Sequence, residues 1–380
     1  MNKNILIAPL NWGLGHATRC IPIIKALEQN GFTPIIASDG VALALLKKEF
    51  PHLIAVELPG YNISYAENGK NFKWKLVTQM PKMFRAIRKE KALVRKIIAN
   101  YEIEGIISDN RLGVYSKSVP SVFMTHQLNV LSGKTSWFTT KVHSNYISKF
   151  NVCWVPDTDK FPNLSGKLGH LEKPLNNTIY IGPLSRFEKE SLPIKYDLMV
   201  ILSGPEPQRT LLEEKLIEEL QAYPKEILFV KGIVQNEQKT WKENHITYYN
   251  FMNSEQLNTA FNESEMVLCR SGYTTVMDLA KLDKKAFFIP TPGQYEQEYL
   301  AKKYKTEGIA PSCKQEKFKL EKLSKIDVYK GLQNYATAID WENLFSLFHG
   351  KREFWTNSKL TFNIDFFVMP FNNVFYNCQT

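Results

Sequence analysis

The stretch that decides the fold runs from Met266 to Ala301: MVLCRSGYTTVMDLAKLDKKAFFIPTPGQYEQEYLA. An apolar run at 266–269 leads into a glycine turn, a helical pattern begins near Thr274, and a second apolar run at 286–289 ends in a polar loop. This alternation predicts two parallel strands joined by a helix. Because ligands of open parallel sheets bind outside the carboxyl ends of the strands, both loops are predicted to border one ligand site.

The turn after the first of these strands has the residues of an anion site. Gly272 allows a ligand to approach the backbone, the free N–H groups of the next helix face an anion, and Arg270 adds a cation. These features predict a phosphate or diphosphate ligand, and Asp278, about one helical turn further, is suited to accept hydrogen bonds from a ribose diol. The alternative is an ordinary strand-to-helix turn, and the second polar loop favours the ligand site.

The same segment resembles the donor-binding segment of GT-B glycosyltransferases of the family 28 type. The resemblance rests on Arg270-Ser271-Gly272, on Asp278 eight positions after the arginine, on Pro290, and on the Glu296-Gln297 pair before a helix start. It implies an α/β protein of the GT-B fold, in which two Rossmann-like, doubly wound domains face each other across a cleft. It also implies a UDP-sugar donor bound by the carboxyl-terminal domain.

The resemblance implies a role for each donor-side residue. The strand-end loop and helix start would hold the diphosphate, Asp278 the ribose, and the acidic and amide pair the sugar hydroxyls. Asp278 stands where the family often has Glu. Two further loops join the implied donor site: a Pro-rich turn that offers donors to the diphosphate, and a strand end where uracil is read through backbone groups and an apolar wall. The implied donor-binding residues are Ser203, Gly204, Phe251, Met252, Arg270, Ser271, Gly272, Thr274, Asp278, Glu296 and Gln297.

A glycine-rich loop, Asn11 to Arg19, follows the first predicted strand. Gly13 and Gly15 permit a tight turn and a close ligand approach. A dinucleotide site is the alternative, but it needs a small residue where Thr18 stands and would have to use Asp39 as its acidic residue.

The loop resembles the acceptor-side loop of GT-B enzymes, which implies that His16 is the base that deprotonates an acceptor hydroxyl. An imidazole facing the cleft suits that task near neutral pH. The resemblance to some plant-type members implies that Asp109 orients His16. His126, at the end of the next predicted strand, is the competing base, and the sequence does not rank the two histidines.

Composition and patterning predict a two-domain enzyme. The length of 380 residues suggests two domains, and the five cysteines lack the CxxC spacing of a zinc site or a disulfide framework. No apolar run is long enough for a spanning helix or a secretion signal. The predicted organisation is an acceptor-side Rossmann-like domain at 1–185, a linker at 186–196, a donor domain at 197–340, and a crossing-back helix with an aromatic-rich tail at 341–380.

The net charge of +10 is concentrated in one segment. Lys70 to Lys96 has ten basic residues and one acid, a net of +9, interleaved with apolar residues at roughly helical spacing, although Pro81 is expected to start or break a helix. The segment predicts a surface for anionic lipid. The alternative is a solvated helix packed on its own domain. Nucleic acid is a poorer explanation and is not expected as a partner, because no recognised binding motif accompanies the charge.

Together these features and the resemblance predict an inverting glycosyltransferase that moves a sugar from a UDP-sugar to an acceptor hydroxyl. The basic segment adds the expectation that this acceptor is on a lipid or at a membrane surface. No cofactor is expected, and no metal, because no acidic metal cluster is visible. The protein is expected in the cytoplasm, peripheral to the inner face of the membrane if the acceptor is a lipid. The alternatives are a UDP-sugar epimerase of the same fold and a non-catalytic sugar-nucleotide-binding protein.

Overall fold

The structure is a computed structural model that describes residues 2–61, 72–131, 136–233, 235, 237–335 and 337–350, and their side chains apart from those of 72–81 and 138. The aromatic-rich tail and the side chains of the basic segment before Lys82 lie outside this description.

The first sheet of the described chain has seven parallel strands in the order β3-β2-β1-β4-β5-β6-β7. Most of its central strand positions are buried, as expected for a parallel sheet covered on both faces. Its strands are β1 Lys3–Pro9, β2 Phe32–Ser38, β3 Ala55–Glu57, β4 Ile103–Asp109, β5 Ser121–Met124, β6 Val152–Val155 and β7 Thr178–Tyr180. Its helices are α1 Gly15–Gln29, α2 Gly40–Glu49, α3 Phe72–Asn100 and α4 Ser136–Ile147.

The second sheet has six strands in the order β10-β11-β9-β8-β12-β13, parallel except for the antiparallel pair β10 and β11 at one edge. The segment that opened the sequence analysis forms β12, α7, β13 and the start of α8, as predicted. The strands are β8 Tyr196–Ile201, β9 Ile227–Val230, β10 Thr240–Glu243, β11 Ile246–Tyr249, β12 Ser264–Cys269 and β13 Lys285–Phe288. The helices are α5 Gln208–Leu220, α6 Ser254–Asn262, α7 Tyr273–Lys281 and α8 Tyr295–Thr306.

Each sheet reverses its winding direction at one point, between β1 and β4 in the first sheet and between β8 and β12 in the second. The loops after these strands diverge there and leave a crevice, which is where doubly wound sheets bind ligands. The glycine-rich loop with His16 follows β1, and Asp109 ends β4. The loops after β8 and β12 hold Gly204 and Gly272, so the predicted site residues lie at both crevices.

The end of the described chain packs on the first sheet. A short helix, α9 (Trp341–Phe345), continues into a 3-10 turn, Ser346–His349. The Phe345 ring lies edge-on to Phe32, 5.7 Å between centroids, and Lys3 Nζ donates to the Phe348 carbonyl at 2.9 Å. The chain thus returns from the second sheet to the first, and in the described residues the predicted crossing-back helix consists of α9 and this single 3-10 turn.

Helix α3 corrects one expectation about the basic segment. It is continuous from Phe72 to Asn100, so Pro81 neither starts nor breaks it. A proline removes one N–H from the ladder and leaves the other hydrogen bonds possible, as Pro22 inside α1 also illustrates. In the described half of α3 the apolar positions face the protein: Ala86, Ile87, Val94 and Ile97 are buried.

Candidate active site

Four polar side chains meet at the winding reversal of the first sheet. His16 Nδ1 lies 3.1 Å from Asp109 Oδ2, and Arg19 Nε donates to the same oxygen at 2.7 Å. Arg19 Nη2 also donates to Asp109 Oδ1, and Arg19 Nη1 lies 2.8 Å from Nδ1 of His126. The structure therefore brings together His16, Asp109 and His126, which the sequence placed at three strand ends, and adds Arg19.

Asp109 is fully buried and ionised. Burial would raise the pKa of its carboxyl, but the charges and hydrogen bonds of Arg19 and His16 lower it to about 2. Nδ1 of His16 also lies 2.9 Å from Arg19 Nη2, but a hydrogen bond to the Asp109 carboxylate, which can only accept, places the proton on Nδ1. In this tautomer Nε2 of His16 holds a lone pair, and it makes no hydrogen bond to the described residues.

The environment of His16 favours the neutral ring. Burial lowers the pKa of His16, Asp109 opposes this by raising it, and Arg19 and His126 lower it again, with a net decrease. A neutral imidazole with a free Nε2 is the form that can accept a proton at physiological pH.

His126 has both ring nitrogens in use. Arg19 can only donate, so Nδ1 of His126 accepts, and Nε2 therefore has the proton and donates to Glu296 Oε1 at 3.1 Å. The ring also stacks on Tyr273, 4.3 Å between centroids with the planes 4° apart. The structure thus favours His16 over His126 as the group that accepts a proton.

The two domains touch at this place. Glu296, at the start of α8, reaches His126, and its Oε2 accepts from Gln127 Nε2. On the other side, Thr274 Oγ1 donates to the Gly15 carbonyl at 3.2 Å. A Cβ on Gly15 would lie 2.8 Å from that hydroxyl oxygen, so only glycine fits here without displacing the first turn of α7. The loop with His16 therefore directly contacts the predicted diphosphate-binding helix.

Three features of the second crevice suit a phosphate group. Gly272 is the N-cap of α7 and provides no side-chain cap, so the first N–H groups of the helix lack that internal partner. Gly204 has a φ of +108°, a region that favours glycine, and its missing Cβ would face Thr291 Oγ1 at 3.7 Å. That hydroxyl is buried and has no hydrogen-bond partner among the described residues. An unpaired buried hydroxyl costs free energy, which a ligand oxygen would offset.

The terminal nitrogens of Arg270 are bonded to the protein. Its Nη1 donates to the carbonyls of Ile289 and Pro290, and its Nη2 donates to the Gln208 carbonyl and to Gln315 Oε1, at 2.8 to 3.2 Å. The side chain is buried, and burial lowers its pKa to about 10. Arg270 thus connects the loop after β13 with the start of α5, while its Nε is buried without a hydrogen-bond partner among the described residues. Its contact with a diphosphate stays a prediction.

The neighbouring predicted donor residues are also tied to the protein. Ser271 Oγ donates to the Gln297 carbonyl at 2.8 Å, and Gln297 Oε1 accepts from the Thr291 N–H at 2.9 Å. These bonds hold the loops after β12 and β13 together. Both side chains therefore shape the site, and their predicted contacts with a ligand would require these bonds to be shared or exchanged.

Asp278 lies beside Ser185 and Arg186, at the start of the predicted linker. Its Oδ1 accepts from Ser185 Oγ at 2.6 Å, and its other oxygen makes no hydrogen bond to the described residues. Burial raises the pKa of Asp278 to about 6, although Arg186 and Ser185 lower it. One carboxylate oxygen thus remains for the predicted ribose diol.

The predicted uracil position is partly occupied. The Phe251 N–H donates to Asn250 Oδ1 at 3.0 Å and its carbonyl accepts from Gln238 Nε2 at 2.7 Å. Both backbone groups of Phe251 therefore have protein partners, and the reading of uracil by backbone groups at Phe251 and Met252 stays a prediction. Met252 packs on the edge of the core, which leaves it as the apolar wall.

The glycine-rich loop does not have the contacts of a dinucleotide site. Asp39, the residue such a site would need, accepts from Arg111 Nη2 and from Asn11 Nδ2, the latter at 3.0 Å. Gly13 has a φ of +75° and makes the tight turn. Among the described residues no three His, Cys, Asp or Glu side chains are grouped so that they could hold a metal ion.

Sequence reasoning missed Arg19, Gln127 and Thr291. Arg19 follows His16 by three positions on one helix, a spacing that puts two side chains on the same face, so its position was available as a signal. Gln127 adjoins His126, but nothing in the sequence indicates that it crosses the cleft to Glu296. Thr291 lies in the second polar loop between the predicted residues.

Solved structures with the same fold are glycosyltransferases. The crystal structure of Acinetobacter baumannii MurG superposes with a TM-score of 0.52 at 13% sequence identity, covering 91% of this chain and 99% of that one. The spinosyn rhamnosyltransferase SpnG complexed with thymidine diphosphate gives a TM-score of 0.56 at 11% identity, covering 92% and 95%. The fold is GT-B, as predicted.

The sequence comparisons agree with the fold. Residues 208–338 match the family model for the glycosyltransferase family 28 C-terminal domain. A UDP-N-acetylglucosamine–N-acetylmuramyl-(pentapeptide) pyrophosphoryl-undecaprenol N-acetylglucosamine transferase of Pasteurella multocida is 23% identical over 337 residues, which are 84% of this chain and 87% of the relative. The equivalent enzyme of Buchnera aphidicola is 25% identical over 252 residues, 61% and 65% of the two chains.

Fold, site and comparisons together define the class of this protein: it is a glycosyltransferase with the GT-B architecture. Within that class, residues 208–338 are similar to the family 28 C-terminal domain, which confirms the resemblance seen in the residues from Arg270 to Gln297.

Proposed function

We propose that this glycosyltransferase moves a sugar from a UDP-sugar to the hydroxyl of a lipid-linked acceptor with inversion at the anomeric carbon. The observation that carries the proposal is the contact between Thr274 and the Gly15 carbonyl, because it places the loop with His16 beside the first turn of α7. The two groups that displacement needs, a base for the acceptor and N–H donors for the leaving diphosphate, are then neighbours.

The proposed step uses His16 as the base. The acceptor hydroxyl gives its proton to Nε2 of His16, its oxygen bonds to the anomeric carbon from one face, and the bond to the diphosphate breaks on the other. Asp109 holds the Nδ1 proton and stabilises the imidazolium that forms. The N–H groups at the start of α7 and the Thr291 hydroxyl stabilise the negative charge on the leaving UDP.

The relatives support the choice of UDP as the nucleotide, and Asp278 supports a ribonucleotide. The free oxygen of Asp278 suits a ribose diol, and the Pasteurella multocida relative is named for a UDP-N-acetylglucosamine donor. One solved structure of this fold is a complex with thymidine diphosphate, another pyrimidine nucleotide. The relatives' names also give an undecaprenol-linked acceptor, which motivates the lipid in the proposal.

A membrane partner would be contacted electrostatically by the described half of α3. Lys82, Arg85, Arg88 and Lys89 are exposed, while the apolar positions between them pack on the protein. None of the described helices contains an apolar run that could cross a membrane. We therefore propose a cytoplasmic protein that binds reversibly to the inner face of an anionic membrane, with about 1 kcal/mol from each basic residue near the surface.

The test combines nucleotide binding with turnover. Calorimetry is expected to give a higher affinity for UDP than for ADP or NAD, and Asp278→Ala is expected to weaken UDP binding by about 1–3 kcal/mol because a desolvated acceptor is lost. His16→Ala is expected to lower turnover by about 10²- to 10⁴-fold with UDP affinity nearly unchanged. Equal affinities for UDP and ADP would refute the uridine donor.

The products separate the alternatives. Release of UDP that requires an added hydroxyl acceptor supports transfer. An epimerase would change the sugar without any acceptor, and a sugar-nucleotide-binding protein would leave the donor intact. If His16→Ala turned over as fast as wild type, His126 would become the candidate base, and His126→Ala would be the next variant to measure.

A further inference from the structure

Arg19 is the common partner of every group in the cluster around His16. It lies one turn after His16 on α1 and its side chain is 1% exposed. Its guanidinium contacts Asp109 at the end of β4, His126 at the end of β5, and His16 on its own helix, where Nη2 lies 2.9 Å from Nδ1. No function assigned so far uses this buried cation.

Two of its contacts have fixed directions. Nε and Nη2 donate one hydrogen bond to each oxygen of Asp109, which is the bidentate geometry that a planar guanidinium favours. Nη1 donates to His126, which leaves the His126 proton on Nε2, directed to Glu296. Arg19 therefore keeps the Asp109 carboxylate in place and occupies the lone pair of His126 that could otherwise accept a proton.

The third contact is a competition for one atom. Nδ1 of His16 can donate to Asp109 or accept from Arg19, and a neutral ring nitrogen does only one of these at a time. The Asp109 contact leaves Nε2 free as a base, whereas the Arg19 contact puts the proton on Nε2. A ring protonated on both nitrogens would also bring a second positive charge beside the guanidinium, which is unfavourable in a buried site.

From this geometry we propose that Arg19 is a positioning residue that sets the tautomer and the proton affinity of His16. It fixes the carboxylate that draws the proton to Nδ1, and its positive charge holds the ring neutral at the pH at which the ring must accept a proton. The catalytic consequence rests on the proposed glycosyl transfer, whereas the effect on the ring does not.

The charged and titratable groups around His16 define what a titration would report. Asp109 on β4 raises the proton affinity of the ring, while Arg19 on α1 and His126 after β5 lower it. Glu296 on α8 acts on His126 through its hydrogen bond. The Cys20 thiol lies 3.9 Å from Asp109, and burial raises its pKa, so it stays neutral.

The direct experiment is nitrogen-15 NMR of the histidine rings in the full chain, which reports tautomer and pKa without any substrate. The His16 signal is assigned by its loss in His16→Gln. Arg19→Met and Arg19→Gln remove the charge, and both are expected to raise the pKa of His16 by about one unit or more. Arg19→Lys keeps the positive charge but loses the planar guanidinium that contacts Asp109 and His126 through separate nitrogens. The pKa of His16 in this variant is expected to stay closer to wild type, and the tautomer signal of His126 is expected to change.

Arg111 provides the matched control. It is another fully buried arginine of the same domain with carboxylate partners, Asp39 and Glu90, and it does not contact His16. Arg111→Lys is therefore expected to lower stability without moving the His16 signal. If Arg19→Met and Arg19→Gln leave the tautomer and pKa of His16 unchanged, the proposal is overturned. If both neutral variants fail to fold, Arg19→Lys decides: because it loses the planar guanidinium that fixes Asp109, an unchanged His16 tautomer signal overturns the proposal.

A pH profile of kcat/KM gives the second readout. In Arg19→Gln the acid limb is expected to shift upward by the same amount as the NMR pKa, so activity lost at pH 7 returns in part at higher pH. A merely structural loss would lower the whole profile without moving its limb, and this result contradicts the positioning role. If the NMR shift occurs but no protein form transfers sugar, the proposed function fails and the inference about Arg19 stands.

Discussion

Asp109→Asn tests whether the buried cluster is held by charge. The substitution keeps the shape of the side chain and removes its negative charge, so the guanidinium of Arg19 stays buried without a counterion. Removing one partner of a buried ion pair costs about 3–5 kcal/mol, most of it from the charge that remains. We expect a loss of this size in the free energy of unfolding at pH 7.

The pKa of Asp109 gives an independent magnitude. The carboxyl has a pKa of about 2 when folded and about 3.9 when unfolded, and a difference of about two units corresponds to about 2.6 kcal/mol. Because the folded pKa is the lower one, this contribution is present above pH ~4 and is lost as the pH falls towards ~2. The difference between wild type and Asp109→Asn should therefore shrink in acid.

Urea unfolding of both proteins at pH 7 and pH 3 measures the effect. The double variant Asp109→Asn with Arg19→Met is the control, because it removes the stranded cation as well as the carboxylate. It should be more stable than Asp109→Asn alone, as neutral replacements of a buried pair often are. A loss below about 1 kcal/mol, a loss that does not change with pH, or strict additivity of the two substitutions would refute the reasoning.

Three further predictions concern other parts of the chain. UDP affinity should fall as the pH is lowered through about 6, where Asp278 becomes protonated and loses an acceptor, and calorimetry should find a weaker dependence in Asp278→Asn. Glu90→Ala should lower the free energy of unfolding by about 3 kcal/mol or more, because it removes a buried partner of Arg111. The control is Glu104→Ala at an exposed position, which should change the free energy of unfolding by about 0.5 kcal/mol or less in the same urea assay. Binding to anionic vesicles, measured by co-sedimentation, should weaken with salt and with four charge reversals on α3. If wild type does not bind these vesicles at low salt, electrostatic docking is excluded. The reversed residues are Lys82, Arg85, Arg88 and Lys89.

The position of the site could be predicted because it depends on local patterns. Apolar runs followed by glycine turns predict parallel strands and their carboxyl ends, and parallel strands that pair bring those ends together. The position of Asp109 illustrates this. Pro9 and Asp109 are register partners in β1 and β4, so the residues after β1 must lie near Asp109. Short strands are harder to predict: β3 and β10 at sheet edges and β6 inside the first sheet have only three or four residues each, too few for a periodic pattern to show.

The direction of each side chain could not be predicted in the same way. Arg270 and Thr291 both lie at strand ends of the second sheet, yet the terminal nitrogens of Arg270 donate to carbonyls after β13 and at the start of α5, while its Nε and the Thr291 hydroxyl have no partner among the described residues. The sequence gives an arginine a charge but does not reveal which unpaired carbonyls lie within its reach. Those carbonyls come from segments distant in the chain, and only the tertiary packing of loops determines where they point.

Glu296 can keep its contact across the cleft and still bind the sugar. A carboxylate offers about four lone-pair positions, and His126 and Gln127 use one on each oxygen. About two positions therefore remain for the sugar hydroxyls that the sequence assigned to this residue. The interaction with His126 lowers the pKa of Glu296, against the effect of burial, which raises it. The carboxylate therefore remains ionised and can accept those bonds. Closure of the two domains and recognition of the sugar thus need not compete for this side chain, since both require the same ionised carboxylate in the same place.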